Sequence, residues 1–205
     1  MHDGRVEEVA AALRRGRVVV LPTDTVYGLV ALASLAAATA RLFELKGRGH
    51  DVPVAVLCAD VDQALRLVDP AAAASVRGVA RRWWPGPLTL VLPRRAGVEL
   101  HVGEPATTIG VRVPAHDLVR AVAARVGPLA ATSANRHGSP TPTTAAAVRV
   151  ELGDVVDLVV DGGTLAASAS TVVDTTTSPW TVLRSGALDA AAILAMAGTA
   201  DPTAG

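Results

Sequence analysis

The sequence predicts an α/β protein: an open, twisted, mixed β-sheet with helices on its faces. Three observations predict it. Short runs rich in Val, Leu and Ala recur along the chain and alternate with segments of helical period. The runs at 17–21 and 54–58 are short and apolar, as in strands covered on both faces. Two late runs, Thr171–Asp174 and residues 180–184, are separated by a short polar turn, which gives an antiparallel pair and makes the sheet mixed.

The elements follow in order. Val6, Val9, Ala10 and Leu13 share one helical face, so a helix is expected over 6–15, ended by Gly16. Residues 17–21 form an apolar strand stopped by Pro22, with Thr23-Asp24-Thr25 at its C-terminal end. Ser34 is expected to cap a helix running to Leu45, which Lys46-Gly47-Arg48-Gly49 breaks. Residues 54–58 form a second buried strand. Asp60 caps a short helix to Val68, and Asp69-Pro70 opens another to Trp84. Strands are expected at 88–92 and 108–113, then a helix over 114–126 ended by Gly127-Pro128. A strand at 129–132 leads into Ser133-Ala134-Asn135. A helix over 143–152, with Thr143 and Thr144 able to cap it, precedes a strand at 158–161. An Ala-rich helix over 189–197 closes the chain. The expected organisation is one domain over 1–198 and a disordered tail over 199–205.

Composition bounds the function. At 205 residues the chain fits one large domain. Half of the residues are hydrophobic, with only three Trp, one Tyr and one Phe, so the core must be built from small aliphatic side chains. Nineteen basic residues balance nineteen acidic ones, which removes any general electrostatic drive toward nucleic acid or membranes. Cys58 is the one cysteine, so an internal disulfide is excluded, and its apolar surroundings make it a buried thiol. The N-terminus is polar and acidic, unlike a signal peptide. The longest weakly polar stretch, residues 29–40, is too short and too rich in Ala, Ser and Thr to span a bilayer. A soluble, cytoplasmic protein is expected.

Standard chemical motifs are missing. The chain has no G-x-x-x-x-G-K-[ST], no G-x-G-x-x-G and no G-x-S-x-G. Its five histidines show no metal-ligand spacing with one another or with Cys58, so no protein-side metal ligands are expected. What remains is hydroxyl, amide and cationic side chains in loops. The single lysine, Lys46, the single tyrosine, Tyr27, and the single asparagine, Asn135, all fall in such segments although the chain is rich in arginine. An ammonium is a compact charge and a guanidinium a planar fork, so arginine does not replace lysine everywhere. Hydroxyls and N–H groups at strand-to-helix turns, joined by an ammonium and a guanidinium, make a polyphosphate site. Taken singly, each segment also reads as a plain turn or a solvated helix end.

In their order and spacing these segments resemble the YrdC-type family, the threonylcarbamoyl-AMP synthases, in its short single-domain form. The resemblance runs from about Gly16 to Leu188. It rests on Pro22-Thr23-Asp24-Thr25-Val26-Tyr27-Gly28-Leu29, Lys46-Gly47-Arg48, Trp84-Pro85-Gly86-Pro87-Leu88-Thr89 and Gly110-Val111-Arg112-Val113-Pro114. It continues through Ser133-Ala134-Asn135 with Gly138 and Pro142-Thr143, Ser170-Thr171-Val172-Val173-Asp174 and Leu183-Arg184-Ser185-Gly186.

The resemblance implies an open sheet with a large concave cavity and a nucleotidyltransferase activity. L-threonine, bicarbonate and ATP would give threonylcarbamoyl-adenylate and pyrophosphate, with magnesium on the triphosphate. The adenylate would serve tRNA modification through partner threonylcarbamoyl-transferase proteins, with any contact to tRNA indirect. By the same resemblance Lys46 and Arg48 hold the phosphates and are the catalytic pair. Thr108, Ala131, Ser133, Asn135, Thr141 and Arg184 join them on the nucleotide. Thr25, Arg112 and Ser170 hold threonine, and Tyr27 walls the cavity. Four positions depart from the family pattern: Gly49, Val52, Leu57 and Ala169. Val52 and Leu57 also read as neutral core positions in a strand. Two other readings stay open: a carbamoyl-transfer domain, and a non-catalytic RNA-binding module using Arg81-Arg82-Trp83-Trp84. Against the second, that segment also reads as the end of an amphipathic helix.

Overall fold

The computed structural model describes residues 2–166 and 168–197; the expected tail at 199–205 lies outside them. The chain opens with α1 (His2–Arg14), whose Val6, Val9 and Leu13 are buried on one face. β1 (Val19–Leu21) follows, and after the Thr-Asp-Thr loop the chain returns antiparallel as β2 (Gly28–Leu32). No sequence pattern marks β2 as a strand. Its residues are all buried, so no alternation marks them, and Gly, Leu and Ala carry little strand preference.

α2 (Ala36–Lys46) starts at Leu35, not at the expected Ser34 cap, and Leu35 makes no side-chain cap bond. Leu35 is instead packed against both hydrophobic cores, and that anchoring sets the start. Gly47 ends the helix at φ 63°, and Gly47 N and Arg48 N donate to Glu44 O and Phe43 O. Lys46 is therefore the last helical residue, and Arg48 leaves in a new direction.

β3 (Ala55–Leu57) leads to α3 (Val61–Leu65) and α4 (Pro70–Trp83), capped as expected by Asp60 and Asp69. β4 (Leu88–Pro93) and β5 (Thr108–Arg112) follow. α5 (Asp117–Val126) begins later than the expected Pro114, because Val113 is still held extended by its carbonyl accepting from Gly86 N. β6 (Leu129–Ser133), α6 (Ala145–Leu152), capped by Thr144, and β7 (Leu158–Val159) come next. β8 (Thr171–Asp174) and β9 (Thr181–Arg184) form the expected antiparallel pair, and Asp189 caps α7 (Ala190–Leu194).

The strands join one open, mixed nine-stranded sheet in the order β7-β1-β2-β6-β3-β5-β4-β8-β9. Side chains alternate across it. Val18, Val20, Leu29, Ala31, Val56, Leu88, Leu90, Val111 and Val173 point to the face covered by α2, α4, α6 and α7. Val19, Leu21, Val30, Leu32, Leu57 and Leu129 point to the other, where α1 and α5 pack together.

That second cover is incomplete. On β5, β4 and β8 the corresponding residues (Thr108, Gly110, Val91, Val172, Asp174) stay half-exposed, while their neighbours on the first face are buried. The open half of this face is where the family resemblance implies a concavity. Among the described residues no helix is long and apolar enough to cross a membrane.

Candidate active site

Strand register lays out the floor of the open face. Ala131 of β6 sits beside Ala55 of β3, and Val91 of β4 beside Gly110 of β5. A Cβ on Gly110 would lie 4.0 Å from Ala55 Cα, so these small residues form a shallow continuous row. Two rungs along, Thr108 and Ser133 stand on the same face at one end of the strands. At the other end, beside Arg112, Thr89, Val172 and Arg184 form one rung across β4, β8 and β9. The site is thus not confined to the C-terminal edge of the sheet, where the Thr-Asp-Thr and Ser-Ala-Asn loops place it. It crosses the face diagonally, because β5 runs antiparallel to β6's direction through β3.

Lys46 enters from the last turn of α2. It is 5% exposed, and its Nζ donates to Ser133 O (2.9 Å), Ser133 Oγ (3.1 Å), Asn135 O (2.7 Å) and Asn135 Oδ1 (2.5 Å). Lysine and asparagine, 89 residues apart, thus form one unit. Asn135 Nδ2 donates onward to Ser139 O, which ties in the loop that carries Thr141. Burial, with the Arg48 charge second, pulls the Lys46 ammonium down to about 8, against a smaller opposing effect of Glu151. The lysine is already saturated by carbonyl, hydroxyl and amide oxygens, since an ammonium has three donors.

Arg112 is the second organised cation. Its Nε donates to Gly86 O (3.0 Å), Nη1 to Thr25 Oγ1 (3.0 Å) and Nη2 to Asp24 Oδ1 (2.6 Å). Thr25 is fixed in turn by Thr23, whose Oγ1 accepts from Thr25 N and lies 2.9 Å from Thr25 Oγ1. Burial lowers the Arg112 guanidinium, Asp24 opposes this, and Arg184 adds to it. Arg184 donates through Nε to Ser170 O (3.0 Å) and through Nη2 to Ser170 Oγ (2.8 Å). Burial and then the Arg48 charge lower it. Arg48 is lowered by burial too, with the Asp51 carboxylate opposing, and its Nε is buried with no hydrogen-bond partner. Arg48 thus acts on both Lys46 and Arg184, and Arg184 acts on Arg112, so the four cations are neighbours. Such an array suits a polyanion.

The structure brings most expected residues together and relocates others. Thr25, Lys46, Arg48, Arg112, Ser133, Asn135, Ser170 and Arg184 are joined by these hydrogen bonds and fields. Ala131 lies in the floor, Thr108 at the rim of the same face, and Thr141 beside the Asn135-bound loop. Tyr27 is different: its side chain is fully buried, so it does not wall an open cavity. Its hydroxyl donates to Gly163 O (2.7 Å) and accepts from Gly162 N (3.0 Å), fastening the loop after β7 behind the site. Leu57 is a buried core residue of β3, whereas Val52 is 40% exposed in the turn before it and is no strand position. Trp84 is buried, with Nε1 donating to Leu88 O, so it cannot stack on a base.

A family model described as "Telomere recombination", covering Sua5, YciO and YrdC, matches residues 11–186. The chain belongs to this family. It is 37% identical over 196 residues to a putative threonylcarbamoyl-AMP synthase of Mycobacterium leprae, covering 94% of this chain and 88% of that protein. It is 37% identical over 190 residues to the threonylcarbamoyl-AMP synthase of Pyrococcus abyssi, covering 92% of this chain and 56% of the relative. The crystal structure of Pyrococcus abyssi Sua5 complexed with L-threonine has a TM-score of 0.84 at 36% identity, over 94% of this chain and 57% of that one. Escherichia coli YciO has a TM-score of 0.81 at 27% identity, over 92% of each chain.

In this Sua5/YciO/YrdC chain, two residues join the site to which the motif reading gave no role. Thr89 Oγ1 lies 2.9 Å from Ser170 Oγ, both buried, and orients that hydroxyl. Its signal was a polar residue inside the apolar run Leu88-Thr89-Leu90. Gly110 keeps the floor flat, and its signal was a glycine in the middle of a strand.

Proposed function

We propose that this chain makes threonylcarbamoyl-adenylate from L-threonine, bicarbonate and ATP, with release of pyrophosphate. One observation carries the reading: Lys46 and Arg48 at the end of α2 and Arg112 and Arg184 from β5 and β9 gather beside the open, small-residue floor, where Arg112 pairs with Asp24. The relatives' name, threonylcarbamoyl-AMP synthase, and the threonine bound to the archaeal neighbour supply the substrate class.

In this reading the adenosine lies over Ala131, Ala55 and Gly110, reached by Ser133, Asn135, Thr141 and Thr108. Arg48 and Arg184 take the phosphates, and Lys46 holds Ser133 and Asn135 in place beside them. Arg112 has five N–H groups and uses three internally, so two remain for the substrate carboxylate. Thr25 and Ser170 supply hydroxyls to the same amino acid.

The threonine amine, having lost a proton, attacks the carbon of bicarbonate; a C–N bond forms, a C–O bond breaks and water leaves, giving threonine carbamate. A carbamate oxygen then attacks the α-phosphorus; an O–P bond forms and the bond to pyrophosphate breaks. Positioning and charge stabilisation account for the rate, since this transfer needs little covalent help from the protein. No cluster of three or more His, Cys, Asp or Glu among the described residues is placed to hold a metal. Magnesium would therefore ride on the phosphate oxygens, where it neutralises charge. The adenylate would pass in the cytoplasm to partner threonylcarbamoyl-transferase proteins acting on tRNA.

The test is pyrophosphate release with each substrate omitted in turn. Release is expected only with L-threonine, bicarbonate and ATP together. Release with carbamoyl phosphate in place of bicarbonate would point to a carbamoyl-transfer domain instead.

A further inference from the structure

We infer that Asp24 is the receptor for the α-ammonium group of the amino-acid substrate, paired with Arg112 as the receptor for its carboxylate. This rests on the amino-acid reading above and adds a residue and a selection rule to it.

The first argument is reach. Asp24 sits in the loop joining β1 and β2, while Arg112 sits on β5, with β6 and β3 between β2 and β5. Closing a hairpin does not require such a crossing. The loop makes it and is held there by Asp24 Oδ1 at 2.6 Å from Arg112 Nη2 and by Thr25 Oγ1 at 3.0 Å from Nη1.

The second is an unused oxygen. The Asp24 and Arg112 side chains are only 13% and 6% exposed, and Asp24 Oδ2 is buried and accepts no hydrogen bond. Native proteins rarely leave a buried carboxylate oxygen without a donor. A ligand ammonium beside Arg112 is a donor of the right charge.

The third is charge matching. At the phosphate end Glu151 and Asp51 act on Lys46 and Arg48 through their charge. At the Arg112 end a carboxylate is hydrogen-bonded directly to the cation, so one positive and one negative group stand side by side. A free amino acid is a zwitterion and matches that pair. A plain acid would put its carboxylate next to Asp24 with nothing to offset the repulsion, so Asp24 selects by exclusion as well as by attraction.

The competing account is that Asp24 only braces Arg112. Calorimetric binding of L-threonine and of 3-hydroxybutyrate, which lacks the amine, separates the two. The wild-type protein is expected to prefer threonine by roughly 10- to 100-fold, the range of one charged hydrogen bond. Asp24→Asn is expected to lose that factor for threonine while 3-hydroxybutyrate binds as well as before or better. An equal fall for both ligands, or an unchanged preference, would overturn the assignment. So would a wild-type protein that shows no preference, a result that needs no variant to fold. A wild-type protein that binds neither ligand overturns the amino-acid reading beneath it as well.

Discussion

Lys46 makes more hydrogen bonds inside the site than any of the three arginines beside it, and all of them go to the Ser133–Asn135 turn. A guanidinium cannot reproduce that geometry: it is larger, planar, and has no point from which to reach four oxygens. Lys46→Arg should therefore cut adenylate formation by about 100-fold or more, as loss of a preorganised charge site does. The far-ultraviolet circular dichroism should keep its shape. An active Lys46→Arg enzyme would return the lysine to an accident of composition. Its titration gives a second prediction. The ammonium is held near 8 by burial and by Arg48, against 10.5 when free. Below about pH 8 it is charged in both folded and unfolded chains. Between about 8 and 10.5 the unfolded chain binds the extra proton, so stability contributed by this group rises with pH across that window. The site responds oppositely: as the ammonium loses its proton the turn loses its tether, and ATP affinity should fall from pH 7 to 9. A KM for ATP that stays flat over this range contradicts the role given to the charge.

At the scale of elements, the β8–β9 pair delivers Arg184 to Ser170, and Gly186 makes the approach possible. A Cβ there would lie 2.4 Å from Ala169 O and 2.5 Å from Ser170 C. Gly186→Ala must push the strand end away, at a cost of about 1–3 kcal/mol in urea unfolding, and should weaken nucleotide binding by separating Arg184 from Ser170. Unchanged stability would mean that the two segments can part freely. Elements with a physical mark were legible in the sequence. Asp60, Asp69 and Thr144 cap the helices they precede, and the turn at 175–179 joins two strands as read. β2 was not legible, because Gly28–Leu32 is buried on both sides and looks like any apolar stretch. Ser34 was misleading: a hydroxyl in the right place lost to Leu35, which had two cores to anchor it. In the site, Lys46, Tyr27 and Asn135 stand out as single residues of their type, whereas the roles of Thr25, Arg112, Ser170 and Arg184 come with the family resemblance. The fully buried place of Tyr27 and the link between Thr89 and Ser170 depend on tertiary packing, which local sequence does not encode.

For the whole molecule, nineteen acidic and nineteen basic residues cancel, yet the cations are not evenly spread. Arg112 and Arg184 stand on one half-face of a sheet whose other half is sealed by α1 and α5, and Lys46 and Arg48 approach from the end of α2. The strand order explains why this half is open: β5, β4, β8 and β9 lie beyond the reach of that helix pair. A protein neutral overall, with a concentrated positive face and a flat floor of Ala, Gly and Val, is suited to a small polyanion more than to a nucleic-acid backbone. The central claim is that the carbon of bicarbonate, the nitrogen of threonine and the phosphorus of ATP end in one molecule. Incubation with carbon-13 bicarbonate, nitrogen-15 L-threonine and ATP, followed by mass spectrometry of the nucleotide fraction, tests this directly. The account predicts an adenylate carrying both labels, formed in step with pyrophosphate. Pyrophosphate released with neither label in an adenylate, or no nucleotide product at all, would contradict it.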